Sequence, residues 1–292
     1  MSAAPSGGYP SVPFVSLDTL WFQVTGTLCN LKCAHCFISC SPTNHSHAML
    51  TLEQVRSRLR EAERLGVREY YFTGGEPFLH PDLLAMIGEA LERGPVGVLT
   101  NGLLLTPDRC RRLRELSDRS EYSLDIRVSL EGNSAELNDP IRGDGTFGKI
   151  CDGIRNLAQA GLNPILTVTE AWEDAAHAEG RARLLDWMRS IGLSRPRLKT
   201  LSLFRIGAET GRRRGYEAWE TLRGRRLTDE EAERLQCSSC RMVTARGVYV
   251  CPILLDEPAA RMGEELAETL RPFGLRYSAC FTCHEYGVTC RT

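Results

Sequence analysis

Cys29, Cys33 and Cys36, spaced C-x3-C-x2-C within GTLCNLKCAHCFISC (26–40), are the residues of this sequence best suited to chemistry. Three thiolates on one loop can ligate three irons of a [4Fe–4S] cube and leave the fourth iron open to another ligand. A structural zinc site takes four ligands, commonly in C-x2-C pairs, and this spacing does not supply them. Cys40 reads as a buried thiol beside the loop, because as a fourth ligand it would close the open iron.

Six further cysteines fall in the last quarter: Cys237, Cys240, Cys251, Cys280, Cys283 and Cys290. The pairs Cys237/Cys240 and Cys280/Cys283 could close a second cubane alone or form a zinc knuckle. Cys110 and Cys151 lie in helical patterns and read as small buried hydrophobes. The N-terminus MSAAPSGGYPSVPFV has neither the basic nor the apolar region of a secretory signal, and no apolar stretch approaches the ~20 residues that span a bilayer. The reading is a cytoplasmic protein, in which twelve cysteines serve metal or redox chemistry before disulfides. A net charge of −1 and a pI near 6.6 advertise neither a nucleic-acid nor a membrane partner.

Strands and helices alternate around these residues. Strand candidates are LWFQV (20–24), EYYF (69–72), VGVLT (96–100), LDIRVSL (124–130), PILTVT (164–169) and RLKTLSLF (197–204). Between the first two, Thr51 and Gln54 spell a capping box, and Leu52, Val55, Leu59, Ala62 and Leu65 recur at helical spacing. Amphipathic segments follow each later strand, one with Pro107 at its first turn. Six such units predict an α/β fold, a partial (β/α)6 TIM barrel with ligands at the C-terminal ends of its strands. Near residue 207 the rhythm breaks. The expected division is an N-terminal extension (1–17), the barrel (18–210) and a small cysteine-rich α+β domain (211–292).

Further motifs stand at those strand ends. TGGEP carries Gly74, Gly75, Glu76 and Pro77, TNG carries Asn101, and VSLEG runs on into NSAELNDPIRGDGTFGKI with Ser129 and Arg142. In this order, with the three cysteines, they resemble the radical S-adenosylmethionine (SAM) superfamily, and the tail is similar to its twitch- and SPASM-type auxiliary domains. The resemblance implies SAM and two [4Fe–4S] clusters. Cys29, Cys33 and Cys36 would hold the first. Gly74, Gly75, Glu76, Pro77 and Asn101 would flank SAM, with Ser129 and Arg142 on its ribose and carboxylate and His35 against adenine. Cys237, Cys240, Cys280 and Cys283 would hold the second, with Cys251 or Cys290 as substitutes.

Within the family the size and cysteine count look most like the aminoglycoside-pathway members, epimerases of the neomycin C to neomycin B type ahead of amino-cyclitol dehydrogenases. Peptide-modifying SPASM enzymes are the alternative. Only about 17 residues precede the first strand, too few for a leader-peptide domain, which tilts the expectation to a small cationic amino sugar. An epimerase returns a hydrogen atom from a thiol, here Cys251 in the strand VYVC, and a flavodoxin- or ferredoxin-type protein would supply electrons. Glu131, Glu170, Asp174, Glu209 and Glu285 are candidate partners for ammonium groups, and His45 and His47 for other substrate contacts.

Overall fold

The computed structural model describes residues 8–172 and 177–287. After a short β1 (Ser11–Val12) come β2 (Thr19–Gln23), α1 (Leu52–Arg64), β3 (Glu69–Thr73), α2 (Leu83–Leu91), β4 (Val96–Thr100) and α3 (Pro107–Asp118). There follow β5 (Leu124–Ser129), α4 (Ala135–Arg142), α5 (Thr146–Gln159), β6 (Ile165–Thr169), α6 (Ala178–Ser190) and β7 (Arg197–Leu201). The chain ends with α7 (Asp229–Arg234), β8 (Cys240–Thr244), β9 (Gly247–Tyr249), β10 (Arg261–Gly263), β11 (Phe273–Gly274) and α8 (Ser278–Tyr286). The six predicted strands all form, and β2 through β7 pair consecutively and in parallel. This is the α/β partial barrel that the alternation predicts.

Alternation along each strand sorts side chains between two cores. Leu20 and Phe22 of β2, Tyr70 and Phe72 of β3 and Val96 and Val98 of β4 pack outward on α1, α2, α3 and α5. Trp21 and Tyr71 point to the other face, stacked with ring centroids 4.3 Å apart. The capping box of α1 is present in both directions, Thr51 Oγ1 accepting from Gln54 N and Gln54 Oε1 from Thr51 N.

The sheet does not stop at the expected boundary. Its order is β10-β9-β8-β2-β3-β4-β5-β6-β7, with β8 parallel to β2 from Thr19↔Cys240 to Phe22↔Val243. A tight β8–β9 hairpin turns on Gly247, whose φ of +108° suits glycine and whose added Cβ would stand 2.6 Å from the Gly263 carbonyl. Met242, Tyr249, Ile253 and Leu255 of this tail share one core with Trp21, Tyr71 and Phe204 of the barrel interior. Residues of the N-terminal extension join the same unit. Ser11 and Val12 pair with Gly274 and Phe273, and Val15 N donates to Ser238 O at 2.9 Å.

Among the elements that escaped the sequence reading, α4 and β8 bear on the sites. In α4, Pro140 sits inside an eight-residue helix, and its flanking glycines disguise a helix as a loop. In β8, CRMVT is buried on both sides and so lacks the alternation of a half-exposed strand. No helix among the described residues is long and apolar enough to cross a membrane.

Candidate functional site

The long loop from β2 to α1 folds back on itself to present its cysteines. Leu28 bridges Ser41 in parallel, with Cys29 N donating to Ser41 O at 3.1 Å. Gly26, at φ +55°, lies so close to the His47 carbonyl that an added Cβ would meet it at 1.9 Å. Cys36 N closes a turn on Cys33 O at 3.2 Å, and Ser39 takes φ +50° to bring the chain round to Cys40. From across the cavity Ala208 N donates to Cys36 O at 2.9 Å, and from α4 Ala34 N donates to Ile141 O at 2.8 Å. The loop is thus clamped from both flanks.

Backbone and side-chain donors point at the sulfurs. Leu31 N reaches Cys29 Sγ at 3.4 Å, Asn101 Nδ2 reaches it at 3.7 Å, and Cys40 N reaches Cys36 Sγ at 3.2 Å. The hydrogen bond from the Cys40 thiol lowers the Cys36 thiol to about 6, while burial pushes Cys29 up to about 12. Buried thiols ringed by N–H donors fit thiolate ligands of a metal centre.

The glycine turn after β3 packs directly on this loop. A Cβ on Gly75 would stand 2.1 Å from Leu28 O, and one on Gly74 2.2 Å from Thr25 Oγ1. Glu76 is wholly buried: Oε1 accepts from Thr100 Oγ1 at 2.7 Å and Phe78 N at 3.0 Å, and Oε2 from Asn101 N at 2.8 Å. Burial raises its pKa to about 7 against the opposing pull of these hydrogen bonds and of Arg109. Glu76 therefore ties the end of β3 to the end of β4. Pro77 is buried and opens the 3₁₀ turn that follows.

A second buried glutamate behaves in the opposite way. Glu131, just past β5, accepts from His35 Nε2 at 2.8 Å and Arg142 at 2.6 Å on one oxygen, and from Thr169 Oγ1 and N on the other. Burial would raise its pKa, but Arg142 and His35 outweigh it and hold the carboxyl at about 2. The clamp leaves Arg142 Nε and His35 Nδ1 buried with no protein partner.

All of this faces one open cavity of about 1360 Å³ at the C-terminal ends of the strands. Of the expected SAM residues, His35, Gly74, Gly75, Asn101, Ser129 and Arg142 line it with Cys29, Cys33 and Cys36; Glu76 and Pro77 do not. Trp21 Nε1, Gln23 Nε2 and Thr167 Oγ1, also on its wall, are buried and unpaired like those of Arg142 and His35. Buried polar groups in folded proteins are rarely left so, and a ring of them marks the seat of a polar ligand. The sequence reading missed Trp21, Gln23 and Thr167; their alternation with Leu20, Phe22 and Leu166 was the available signal.

The expected substrate carboxylates lie elsewhere. Glu131 is committed to its clamp, Glu209 is fully buried against Arg212, Glu170 accepts from Ser202 at 3.0 Å, and Glu285 pairs with Arg225 and His284. Asp174 lies outside the described residues. Among the described residues no carboxylate lines the cavity; the rest of its wall includes apolar Leu31, Phe37, Ile38, Phe204, Ile253 and Leu255 and the hydroxyls of Thr73, Thr100, Thr169 and Ser202. His45 is exposed, whereas His47 is buried between Gln23 and Asp256.

In the tail, Cys237, Cys251, Cys280 and Cys283 surround a separate void of about 370 Å³. The expected partner Cys240 is not among them; its Sγ donates to Val250 O at 3.7 Å. Cys237 lies in the 3₁₀ turn before β8 and Cys240, three residues on, starts the strand, so the pair diverges. Cys251 stands beyond the end of β9, in a bend, rather than in a strand. Cys290 lies outside the described residues. Among the described residues no three His, Cys, Asp or Glu side chains converge to hold a single metal ion, at the front loop or in the tail.

A family model described as the Radical SAM superfamily matches residues 24–171, just over half of the chain. The mycofactocin maturase MftC of Mycobacterium tuberculosis (strain CDC 1551 / Oshkosh) is 36% identical over 136 residues, 46% of this chain and 33% of that protein. The fold is similar to that of Streptococcus suis SuiB solved with its precursor peptide SuiA (TM-score 0.65, 16% identity, 88% of this chain and 65% of that one). It is also similar to anSMEcpe with bound AdoMet (TM-score 0.61, 17% identity, 86% and 79%). The match thus spans about a third of the curated relative's length.

Proposed function

We infer the function from one premise: the chain belongs to the radical SAM superfamily, whose members use SAM and a [4Fe–4S] cluster. When bound, these supply a 5′-deoxyadenosyl radical that takes a hydrogen atom from a substrate C–H. Cys29, Cys33 and Cys36 would hold the cluster. Arg142 would meet the SAM carboxylate through its free Nε, aimed by Glu131; Ser129, His35, Asn101 and the Gly74–Gly75 backbone would flank the rest. Glu76 acts one layer back, fixing the two strand ends that carry these contacts.

Cys237, Cys251, Cys280 and Cys283 would hold a second cluster, since they alone among the tail's described cysteines face one void. Cys251 is then a ligand and no hydrogen-atom donor.

The substrate is a peptide, and the single observation that carries this is the wall of the main cavity. Among the described residues it offers unpaired donors and apolar surface and no carboxylate. Carbonyl groups and aliphatic side chains suit such a wall. A polycationic amino sugar would lose the hydration of its ammonium groups against no counter-charge. The names of the maturase MftC and of SuiB's precursor peptide support the same reading. Amino-sugar epimerisation is the second reading, favoured by one feature: the buried Cys40 thiol lines the cavity and would be its donor.

The test is anaerobic incubation of the reconstituted protein with SAM and dithionite in D2O, beside either a pooled random peptide library or neomycin C. Formation of 5′-deoxyadenosine above background with peptides, and loss of two mass units from a peptide, is the expected result. A neomycin isomer carrying one deuterium would reverse the choice of substrate while leaving the radical chemistry intact.

A further inference from the structure

Arg241, the second residue of β8, is a fully buried cation, and among the described residues its side chain has no carboxylate partner. Its guanidinium spends its donors on four backbone carbonyls. Nε and Nη2 reach Thr269 O at 3.0 and 2.7 Å, Nη1 reaches Cys237 O at 2.9 Å and Cys240 O at 2.6 Å, and Nη2 also reaches Arg271 O at 3.2 Å. Behind it lies the ring of Phe14, with its centroid 4.9 Å away. Carbonyl dipoles satisfy hydrogen bonds but do not cancel a unit charge, and an unpaired buried charge is among the costliest features a fold can carry. Among the described residues no carboxylate pairs with it, and Arg271, whose carbonyl it also holds, is itself positive.

Nη1 of Arg241 holds the carbonyls of Cys237 and Cys240, and the sulfurs of Cys240, Cys237 and Cys251, as thiolates, would be its anionic partners. Two of those three line the tail void, and one of the carbonyls Arg241 holds is that of Cys237 itself. One charge thus sits directly behind the cysteine cage and braces one of its walls.

We propose that Arg241 is the counter-ion of the tail cysteine cage, a positioning residue that raises the reduction potential of the iron–sulfur cluster held there. This rests on the reading of that cage given above. A cubane with four thiolates is an anion that gains a further negative charge on reduction, so a fixed buried cation favours the reduced form. The same charge explains why a buried arginine is retained with no acid beside it: its partner is supplied by the metal centre.

The experiment uses the full chain carrying Cys29→Ala, Cys33→Ala and Cys36→Ala, which leaves the tail cage as the one cluster site, reconstituted anaerobically with iron and sulfide. Into this parent are placed Arg241→Gln, which removes the charge, and Arg241→Lys, which keeps it while losing the fork. Each is read by iron per chain, by the rate of iron loss to a chelator and by a potentiometric titration followed by electron paramagnetic resonance. Arg241→Gln should titrate at a more negative potential than the parent and lose iron about 10-fold faster. Arg241→Lys should stay near the parent in potential. A Gln variant with the parent's potential overturns the proposal, and so does a Lys variant that shifts as far as Gln, since the fork's geometry and not its charge would then matter. Thermal unfolding gives a second readout should the Gln variant load poorly. A counter-ion predicts that Arg241→Gln destabilises the iron-loaded chain more than the iron-free one, and equal losses overturn it. If the parent itself binds no iron, the reading of the cage fails first, and that outcome is visible before any Arg241 variant is made.

Discussion

Two cysteine sites lie in this molecule, and they are built in opposite ways. Cys29, Cys33 and Cys36 come from eight consecutive residues of one loop, and the rest of the barrel arrives to clamp that loop and face it with polar groups. Cys237, Cys251, Cys280 and Cys283 come from three separated segments, a turn, a bend and a helix, which meet only because β8 joins the sheet and α8 packs over it. The first site has its chemistry fixed by local spacing, with charge supplied from outside by Arg142 over Glu131. The second has its cysteines brought together by the fold, and the buried cation Arg241 holds the carbonyl of one of them. Local sites keep their ligands when the fold is perturbed; assembled sites do not.

The largest effect that would test this contrast comes from Cys33→Ala. It should abolish 5′-deoxyadenosine formation and remove one cluster's iron, leaving the tail's iron in place, because the two sites share no ligand. Iron analysis beside a product assay reads both. Loss of all iron would join what the geometry keeps apart.

Next comes the comparison of Cys251→Ser with Cys240→Ser. Spacing alone pairs Cys240 with Cys237, whereas the void selects Cys251. The Cys251 variant should lose the tail cluster's visible absorption and the Cys240 variant should keep it. The reverse pattern would return the ligand set to the spacing argument.

The two buried glutamates of the front site give a smaller, pH-resolved effect. Glu131→Gln leaves Arg142 buried without its partner and should cost about 3–5 kcal/mol in urea unfolding. Since the folded carboxyl lies at about 2, below its usual 4.5, its stabilisation is full above pH 4.5 and is lost as pH falls toward 2. Glu76 has the opposite sign: its folded value of about 7 lies above 4.5, so its relative stabilisation is full below pH 4.5 and lost as pH rises through 7. The stability gap between Glu76→Gln and the parent should therefore shift toward the variant from pH 5 to pH 8, while the Glu131→Gln gap stays level over that range. A level gap for both would mean that the two carboxyls share one environment.

Smallest is the capping box. Thr51→Ala should lower the unfolding free energy by about 1 kcal/mol and leave iron content and SAM cleavage unchanged, since α1 supports the front loop only from its far end. A loss of iron would show that the loop depends on the start of that helix.

The repeating units and the front motif were legible because their signals are short-range. Leu20 and Phe22 alternate with Trp21, helical spacing and the Thr51–Gln54 cap mark α1, and one loop holds all three front cysteines. The tail was less legible. Two C-x2-C pairs suggest two pairs of ligands, yet Cys240 begins a strand whose hydrogen bonds to β2 turn it away. The role of Glu131 was hidden for a related reason. From sequence it is a carboxylate at a strand end, and only the convergence of His35, Arg142 and Thr169 turns it into a structural anion.

The sequence by itself determined the class of chemistry and the alternating barrel, because ligand spacing, capping and periodicity act within a few residues of one another. Tertiary structure alone decided which tail cysteines face one void, which buried glutamate is held charged by its partners, and that no carboxylate among the described residues lines the main cavity. Those outcomes depend on burial and on partners distant in the chain, and the free energy of a charge or a ligand is set by what surrounds it.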